Sequence, residues 1–447
     1  MNGIPLIESI EARGVLGKFD YSINFSESPT GEESNYANDY QKIRIIYSDN
    51  GSGKTNLLKS ISLLSQFTSQ SISKIIKSVP IKYLELVSDS GYYIKLEKSK
   101  VIDSQCIIIT QEEPEGITIG PEEIENLSRY EEFRFLMDAE SEAESFNKLI
   151  KIKRDIHNKI GKVNYLDAGR LYQELKEEMV LQEEDFVFKL NNKKDNKDIV
   201  SSTIEHLEDK LIKQAFKSSS RTRENGVYAE ITQNILKRTG REYSYASATT
   251  ARTDIDAVIK KIEDNSSLVK KYGILDFSEF NTVRKHIMVI PGQRNAKEFI
   301  QLAPAILPYF ESMLEKIEIA DQSATRIDTF IKSINLLYLG KEIKFSPTEG
   351  ISLNRNDGVA FSFNDLSSGE KQLLLILANA TLAATKNEFF IIDEPEISLG
   401  IKWQRRIVEH IYACSSGAEV NILLASHSPL IHADINPNLR IKPRPST

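Results

Sequence analysis

Hydrophobic and polar positions change period several times along the chain. Residues 7–25, IESIEARGVLGKFDYSINF, alternate around a glycine turn and predict two strands. Residues 43–47, IRIIY, are nearly continuous and β-branched, the pattern of a buried parallel strand. The next apolar positions, Leu57, Leu58, Ile61, Leu63 and Leu64, fall on one face of a helix. Further strands are expected in IKYLELVSD, GYYIKLEK and SQCIIITQ, and a polar loop in SESPTGEESNYANDYQ. From 121 to 324 the texture turns to charge-laced helices such as ESEAESFNKLIKIKRDIHNKI and RLYQELKEEMVLQEEDFVFKL, with LNNKKDNKD as a solvated turn. No heptad persists, so a compact helical insertion is expected and not a coiled-coil arm. LAPAILPYFESMLEKIEIA and TRIDTFIKSINLLYL predict two amphipathic returning helices, and GKEIKFSPTEGISLNRNDGVAFSF a meander of short strands. The expected division is a β-rich lobe at 1–120, the insertion at 121–324 and a second lobe at 325–447.

Chemistry first enters between the strand at 43–47 and its helix. SDNGSGKT nearly matches G-x-x-x-x-G-K-[ST], a loop whose backbone N–H groups cradle phosphates. Asn50, Gly51, Ser52, Gly53, Lys54, Thr55 and Asn56 are the candidate phosphate contacts. The two glycines let the backbone curl, and the helix N-terminus adds its partial positive charge. Lys54 is expected to reach the β- and γ-phosphates and Thr55 to bind Mg²⁺. As a loop lysine, Lys54 is expected to have little packing role. Ser48 stands where the pattern has its first glycine, a departure expected to strain the loop start.

Composition narrows the field without choosing within it. The chain has 447 residues, 40% hydrophobic and 27% charged, as in soluble globular proteins. No apolar run reaches the roughly 18 residues of a membrane span, and the start lacks a signal-peptide pattern, so a cytoplasmic protein is expected. Two cysteines far apart exclude a disulfide framework, and six scattered histidines show no zinc spacing. The net charge of −7 excludes a globally basic nucleic-acid binder but not a local basic groove.

Three segments after residue 360 complete the pattern. FNDLSSGEKQLLLILANATLAA opens an apolar helix on a polar turn, where Ser367, Ser368, Gly369 and Glu370 form an N-terminus able to meet a phosphate. By itself this is also an ordinary helix cap. NEFFIIDEPE is a buried strand ending in two carboxylates, at the strand tip where α/β sheets hold ligands. Asp393 suits a Mg²⁺ shell, and Glu394 suits a general base for the attacking water. NILLASHSP adds another buried strand, ending at His427, whose imidazole suits a γ-phosphate contact or water orientation.

Loop, serine-glycine helix, Asp-Glu strand and strand-histidine resemble, in order and spacing, an ABC-type ATPase of the RecF/SMC branch. The resemblance implies an α/β fold: an ABC-type P-loop head, with a mixed sheet, a β-rich N-terminal lobe and a large helical insertion. It also implies ATP and Mg²⁺ as ligands, and a homodimer or higher oligomer with nucleotide sandwiched between two heads. Lys54, Thr55, Asp393, Glu394 and His427 would then act in cis, and Ser367, Ser368 and Gly369 in trans. Gly400 stands where the family more usually has histidine at the dimer seam. A family glutamine contacting the metal is sought at the end of the first lobe, where Gln111 is the candidate. The insertion is larger than in transporter subunits, the long arms of SMC proteins are absent, and no Toprim nuclease segment of the OLD type is found. The chain therefore looks most like the ATPase subunit of two-component phage-defence systems such as PARIS and Septu. That implies a separate effector nuclease and a phage-encoded trigger. The alternative is a RecF/SMC-like repair or recombination ATPase that clamps DNA, so nucleic acid stays among the candidate partners.

Overall fold

A computed structural model describes residues 5–26, 40, 42–99, 104–133, 144–169, 199–220, 248–289, 296–418, 420–433 and 435–446. The expected helix at 170–190, the turn at 190–198 and most of the polar loop at 26–41 lie outside them. The chain divides into two compact units, Met1–Thr203 with Phe363–Thr447, and Ile204–Ser362.

The first unit contains two sheets. One is antiparallel, built from β1 (Ile7–Val15), β2 (Phe19–Asn24), β4 (Tyr83–Ser88), β5 (Tyr93–Lys98), β6 (Cys106–Thr110), β7 (Ile117–Ile119) and β14 (Arg444–Pro445), in the order β14-β2-β1-β4-β5-β6-β7. The other is parallel, in the order β13-β3-β12-β11-β8, with β3 at Ile43–Tyr47, β8 at Val163–Leu166, β11 at Phe389–Asp393, β12 at Ile422–Ser426 and β13 at Arg440–Ile441. β11 and β12 are buried at every position, which is why they read as continuous apolar runs instead of alternating ones. Helix α1 (Lys54–Gln66) buries Leu57, Leu58, Ile61 and Leu64 in one core with Ile10, Tyr21 and Leu84 of the antiparallel sheet and Ile46, Ile391 and Leu423 of the parallel one. Packed this way, the helix holds its N-terminus, and with it the loop from β3, at the carboxyl ends of the parallel strands.

The expected α/β fold is met, but the expected mixed sheet is instead two, one wholly antiparallel and one wholly parallel, because the strands of the β-rich lobe pair through short local connections and the buried strands only with one another. Two departures in detail remain. β8 lies inside the stretch expected to be helical and pairs in parallel with β11, Val163 opposite Phe389 and Leu166 opposite Ile392. It is a four-residue strand among charged helices, too short for periodicity to declare itself. Before it, α2 is Ser69–Ser78, α3 Pro121–Phe133 and α4 Glu144–Asp155, followed by a π turn at Ile156–Ile160.

The second departure belongs to the second unit. α5 (Ile199–Ser220) enters it, followed by α6 (Ala248–Asn265), α7 (Ser267–Lys271), α8 (Ser278–Val289) and α9 (Ala296–Leu337). The two expected returning helices are one, because the intervening DQSA stays helical and buries Ser323 and Ala324. In its last third, Asp328 is buried but accepts from Lys271 Nζ at 2.6 Å and Tyr272 Oη at 2.8 Å, and pairs with Lys332 at 2.6 Å. The meander is a hairpin, β9 (Lys341–Ser346) with β10 (Gly350–Arg355).

Candidate nucleotide site

The loop between β3 and α1 surrounds a cavity of about 190 Å³ lined by Leu16, Asn50, Gly51, Ser52, Gly53, Lys54, Thr55, Asn56 and Glu394. Gly51 and Gly53 have φ of 84° and 86°, the left-handed backbone that a nest of inward N–H groups requires. Ser48 has no positive φ, so a glycine is not needed there. The expected strain is absent, and its hydroxyl instead meets Ser52 Oγ at 2.6 Å. The β1–β2 turn braces the loop from outside. Tyr21 Oη donates to Ser52 O at 2.8 Å, and a Cβ on Gly53 would lie 2.5 Å from Val15 Cγ1.

Lys54 corrects the expectation of a surface lysine, since only 5% of it is exposed. Its Nζ donates to the carbonyls of Ser48 at 2.6 Å and Asp49 at 3.1 Å. Burial pushes this ammonium below its ordinary value, while Glu394, Asp393 and Glu396 pull it back up. A desolvated cation held by two neutral carbonyls is well placed to gain from an arriving phosphate.

Asp393 ends β11 wholly buried. Burial pushes its carboxyl up to about 6, with the nearby Thr55 hydroxyl opposing and the charges of Glu394 and Asp167 adding to the rise. Thr55 thus lies close enough to Asp393 to favour its charged form, and loop and strand bring together two hard oxygens that fit a Mg²⁺ shell. Glu394 has φ 48°, a left-handed conformation costing a non-glycine residue about 1 kcal/mol. Its N–H donates to Ala425 O at 2.9 Å, and the turn delivers its carboxylate into the cavity lining. His427 follows β12, with Nδ1 3.8 Å from Glu394 Oε1 and 3.1 Å from Glu396 Oε1.

Two residues here escaped the sequence reading. Glu396 is almost fully buried and gathers the His427 turn, as described below. Asp167 follows β8 beside Asp393, with Lys59 Nζ of α1 at 3.5 Å. Recognising that residues 163–166 form a strand would have exposed it, because the strand flanking β11 must end near β11's carboxylates. Gln111 is not brought into this group: it follows β6 of the antiparallel sheet, is exposed and does not line the cavity.

Ser367, Ser368, Gly369 and Glu370 also lie outside the cavity lining. They open α10 (Ser368–Lys386) in a capping box: Glu370 Oε2 accepts from Ser367 N at 2.9 Å, and Ser367 Oγ accepts from Glu370 N at 3.4 Å. Glu370 therefore has a structural task at the cap. Gly369 packs against the turn before α11 (Ile401–Ser415), where a Cβ would lie 2.6 Å from Ser398 O and 3.2 Å from Trp403 Cζ3. Gly369→Ala is accordingly expected to destabilise the first unit by about 1–3 kcal/mol in urea unfolding, because backbone and indole ring cannot both retreat. An unchanged midpoint would show that the turn yields freely. Gly400, the N-cap of α11, has open space at its Cβ position, so nothing local enforces glycine.

A nest of inward N–H groups on a helix N-terminus, a buried lysine and a left-handed glutamate at one cavity give the loop the shape of a phosphate cradle. The chain belongs to the family described as "AAA domain, putative AbiEii toxin, Type IV TA system", which matches residues 49–434. Among solved structures it is similar to the Smc head domain with an extended coiled coil bound to the C-terminal domain of ScpA, from Pyrococcus furiosus. That likeness has 15% identity and a TM-score of 0.38, covering 99% of this chain and 96% of that one. An SmcHead bound to the C-winged helix domain of ScpA gives 13% identity, a TM-score of 0.37 and coverage of 99% and 97%. A search of curated proteins finds no match. Among the described residues, no helix is long and apolar enough to cross a membrane.

Proposed function

We propose that the chain binds and hydrolyses ATP with Mg²⁺ at composite sites formed between two copies, and that nucleotide state controls a separate effector nuclease in antiviral defence. The observation that carries the ATPase reading is the loop itself, with left-handed Gly51 and Gly53 and a buried Lys54 around a cavity that Thr55 and Glu394 also line, and Asp393 near Thr55. Bound there, Mg²⁺ would neutralise phosphate charge as the terminal bond breaks. The chain's own groups do the rest. Loop N–H groups and Lys54 hold the phosphates, Glu394 accepts a proton from the attacking water, and His427 contacts the transferred group. The position of Ser367, Ser368 and Gly369 outside their own chain's cavity supports supply in trans. The two-component reading is supported by the family's description as a toxin–antitoxin component.

Lys54→Ala is expected to weaken ATP binding about a hundredfold or more, by loss of charge-assisted contacts to phosphate. Titration calorimetry gives the answer, and unchanged affinity would dismiss the phosphate-loop assignment. Lys54→Ala chains mixed with Ser368→Trp chains should regain one working site per pair, because each defect then falls in the same composite site. Turnover that is independent of dilution in every mixture would rule out composite sites. The defence reading is tested by challenging cells with phage, with and without the neighbouring gene. Protection by this chain alone would refute it.

A further inference from the structure

Glu396, two residues beyond the proposed base, has no part in phosphate or metal binding in the reading above. Yet it is the most heavily engaged carboxylate of the site. It is 6% exposed, and its Oε1 accepts from Ser426 Oγ at 2.8 Å, His427 N at 2.9 Å and Ser428 N at 3.2 Å. The same oxygen lies 3.1 Å from His427 Nδ1, while Glu394 Oε1 is 3.8 Å from that nitrogen. A second tie secures the turn: Ser428 Oγ donates to Gln404 Oε1 at 2.8 Å, and Gln404 Nε2 donates to Leu399 O at 2.8 Å. One buried oxygen thus binds the backbone of the His427 turn and lies 3.1 Å from its ring nitrogen.

We propose that Glu396 is a positioning residue for His427: it fixes the imidazole with its proton on Nδ1, leaves Nε2 as the working nitrogen, and keeps the ring from pairing with Glu394. A carboxylate can only accept, so a nitrogen that bonds to it from this 3.1 Å approach does so with hydrogen on Nδ1. The same device orients metal-bound and catalytic histidines, where an acceptor behind one ring nitrogen sets what the other can do. At 3.8 Å, Glu394 is outside hydrogen-bond reach of the ring, and its oxygens remain available to a water. Without Glu396, the nearest carboxylate able to capture Nδ1–H would be Glu394. Part of this inference, the consequence for turnover, rests on the ATPase reading; the tautomer does not.

The two are therefore measured separately. In the full-length protein labelled with ¹⁵N-histidine and held near pH 8.5, where an ordinary imidazole is neutral, the His427 ring is expected as the Nδ1–H tautomer. A His427→Gln variant identifies its signals. An Nε2–H tautomer in the wild type would overturn the proposal, whatever the protein hydrolyses. In kinetics, Glu396→Ala should lower kcat about tenfold or more while ATP affinity stays within about twofold. Glu396→Gln, which keeps an oxygen acceptor, should return kcat to within about threefold of wild type. Adding Glu396→Ala to His427→Ala should cost nothing further, since the first acts through the second. A Glu396→Ala defect that appears in affinity, multiplies with His427→Ala, or persists in Glu396→Gln would each contradict it. A wild-type chain with the expected tautomer but no ATP turnover would count against the ATPase reading alone.

Discussion

Glu394→Gln should bind ATP as tightly as the wild type and turn it over about a thousandfold more slowly. The glutamine keeps the size of the side chain, and the backbone N–H to Ala425 O that anchors the left-handed turn is untouched. What disappears is the only property a base needs, an oxygen able to take a proton. An amide still accepts a hydrogen bond from water, so ground-state binding is spared and the loss falls on the chemical step. ATP should then persist on the protein, and the proposed two-copy assembly should outlive that of the wild type in size-exclusion chromatography. Single-turnover measurement decides the point: hydrolysis within a factor of about three of wild type would remove Glu394 as the base.

Asp393→Asn should strengthen the nucleotide-free fold while abolishing Mg²⁺-dependent binding. The carboxyl is wholly buried, and its pKa stands at about 6 against an ordinary 3.8. A raised folded value means that the native state holds its proton more tightly than the unfolded chain. The stability linked to that proton is fully present below about pH 4 and is lost as pH rises through about 6. At pH 7 the ionised group therefore opposes folding by on the order of 2–3 kcal/mol. Asparagine removes that charge and keeps the size of the side chain. Urea unfolding in chelator should show the gain, largest near neutral pH and vanishing near pH 4. In the wild type, Mg²⁺-dependent ATP binding should weaken as pH falls below about 6, where protons compete for the same oxygens. An asparagine variant that is less stable without nucleotide, yet keeps its Mg²⁺ dependence, would contradict this account of the site.

Much of this site was legible because its parts are local. A β-branched run, glycines with a fixed spacing and a helical stripe identify β3, the loop and α1 within a few dozen residues. β11 and β12 likewise declare themselves as apolar runs with polar tips. What stayed hidden depends on neighbours. Lys54 is buried with its ammonium turned back onto the carbonyls of Ser48 and Asp49, a fold of the loop that its spacing does not announce. Ser48 is tolerated because of a backbone angle that a pattern does not state. β8 is stabilised by pairing with a strand more than two hundred residues later, so Asp167 could not be placed beforehand. Glu396 looked like one more acid after a proline, and its importance comes from three donors some thirty residues away.

The strand order carries one more consequence, for the time at which the site comes into being. β1, β2, β4, β5, β6 and β7 are sheet neighbours drawn from the first 119 residues, so most of the antiparallel sheet closes through short loops. β3 and β8 are made early too, but the two strands that separate them in the parallel sheet, β12 and β11, follow β8 only after the whole of the second unit. Such pairing of high sequence separation is slow, because the loop must close before any contact rewards it. On the ribosome the phosphate loop emerges long before Asp393, Glu394 and His427 exist. The newborn chain therefore carries the loop alone until Asp393, Glu394 and His427 have been made.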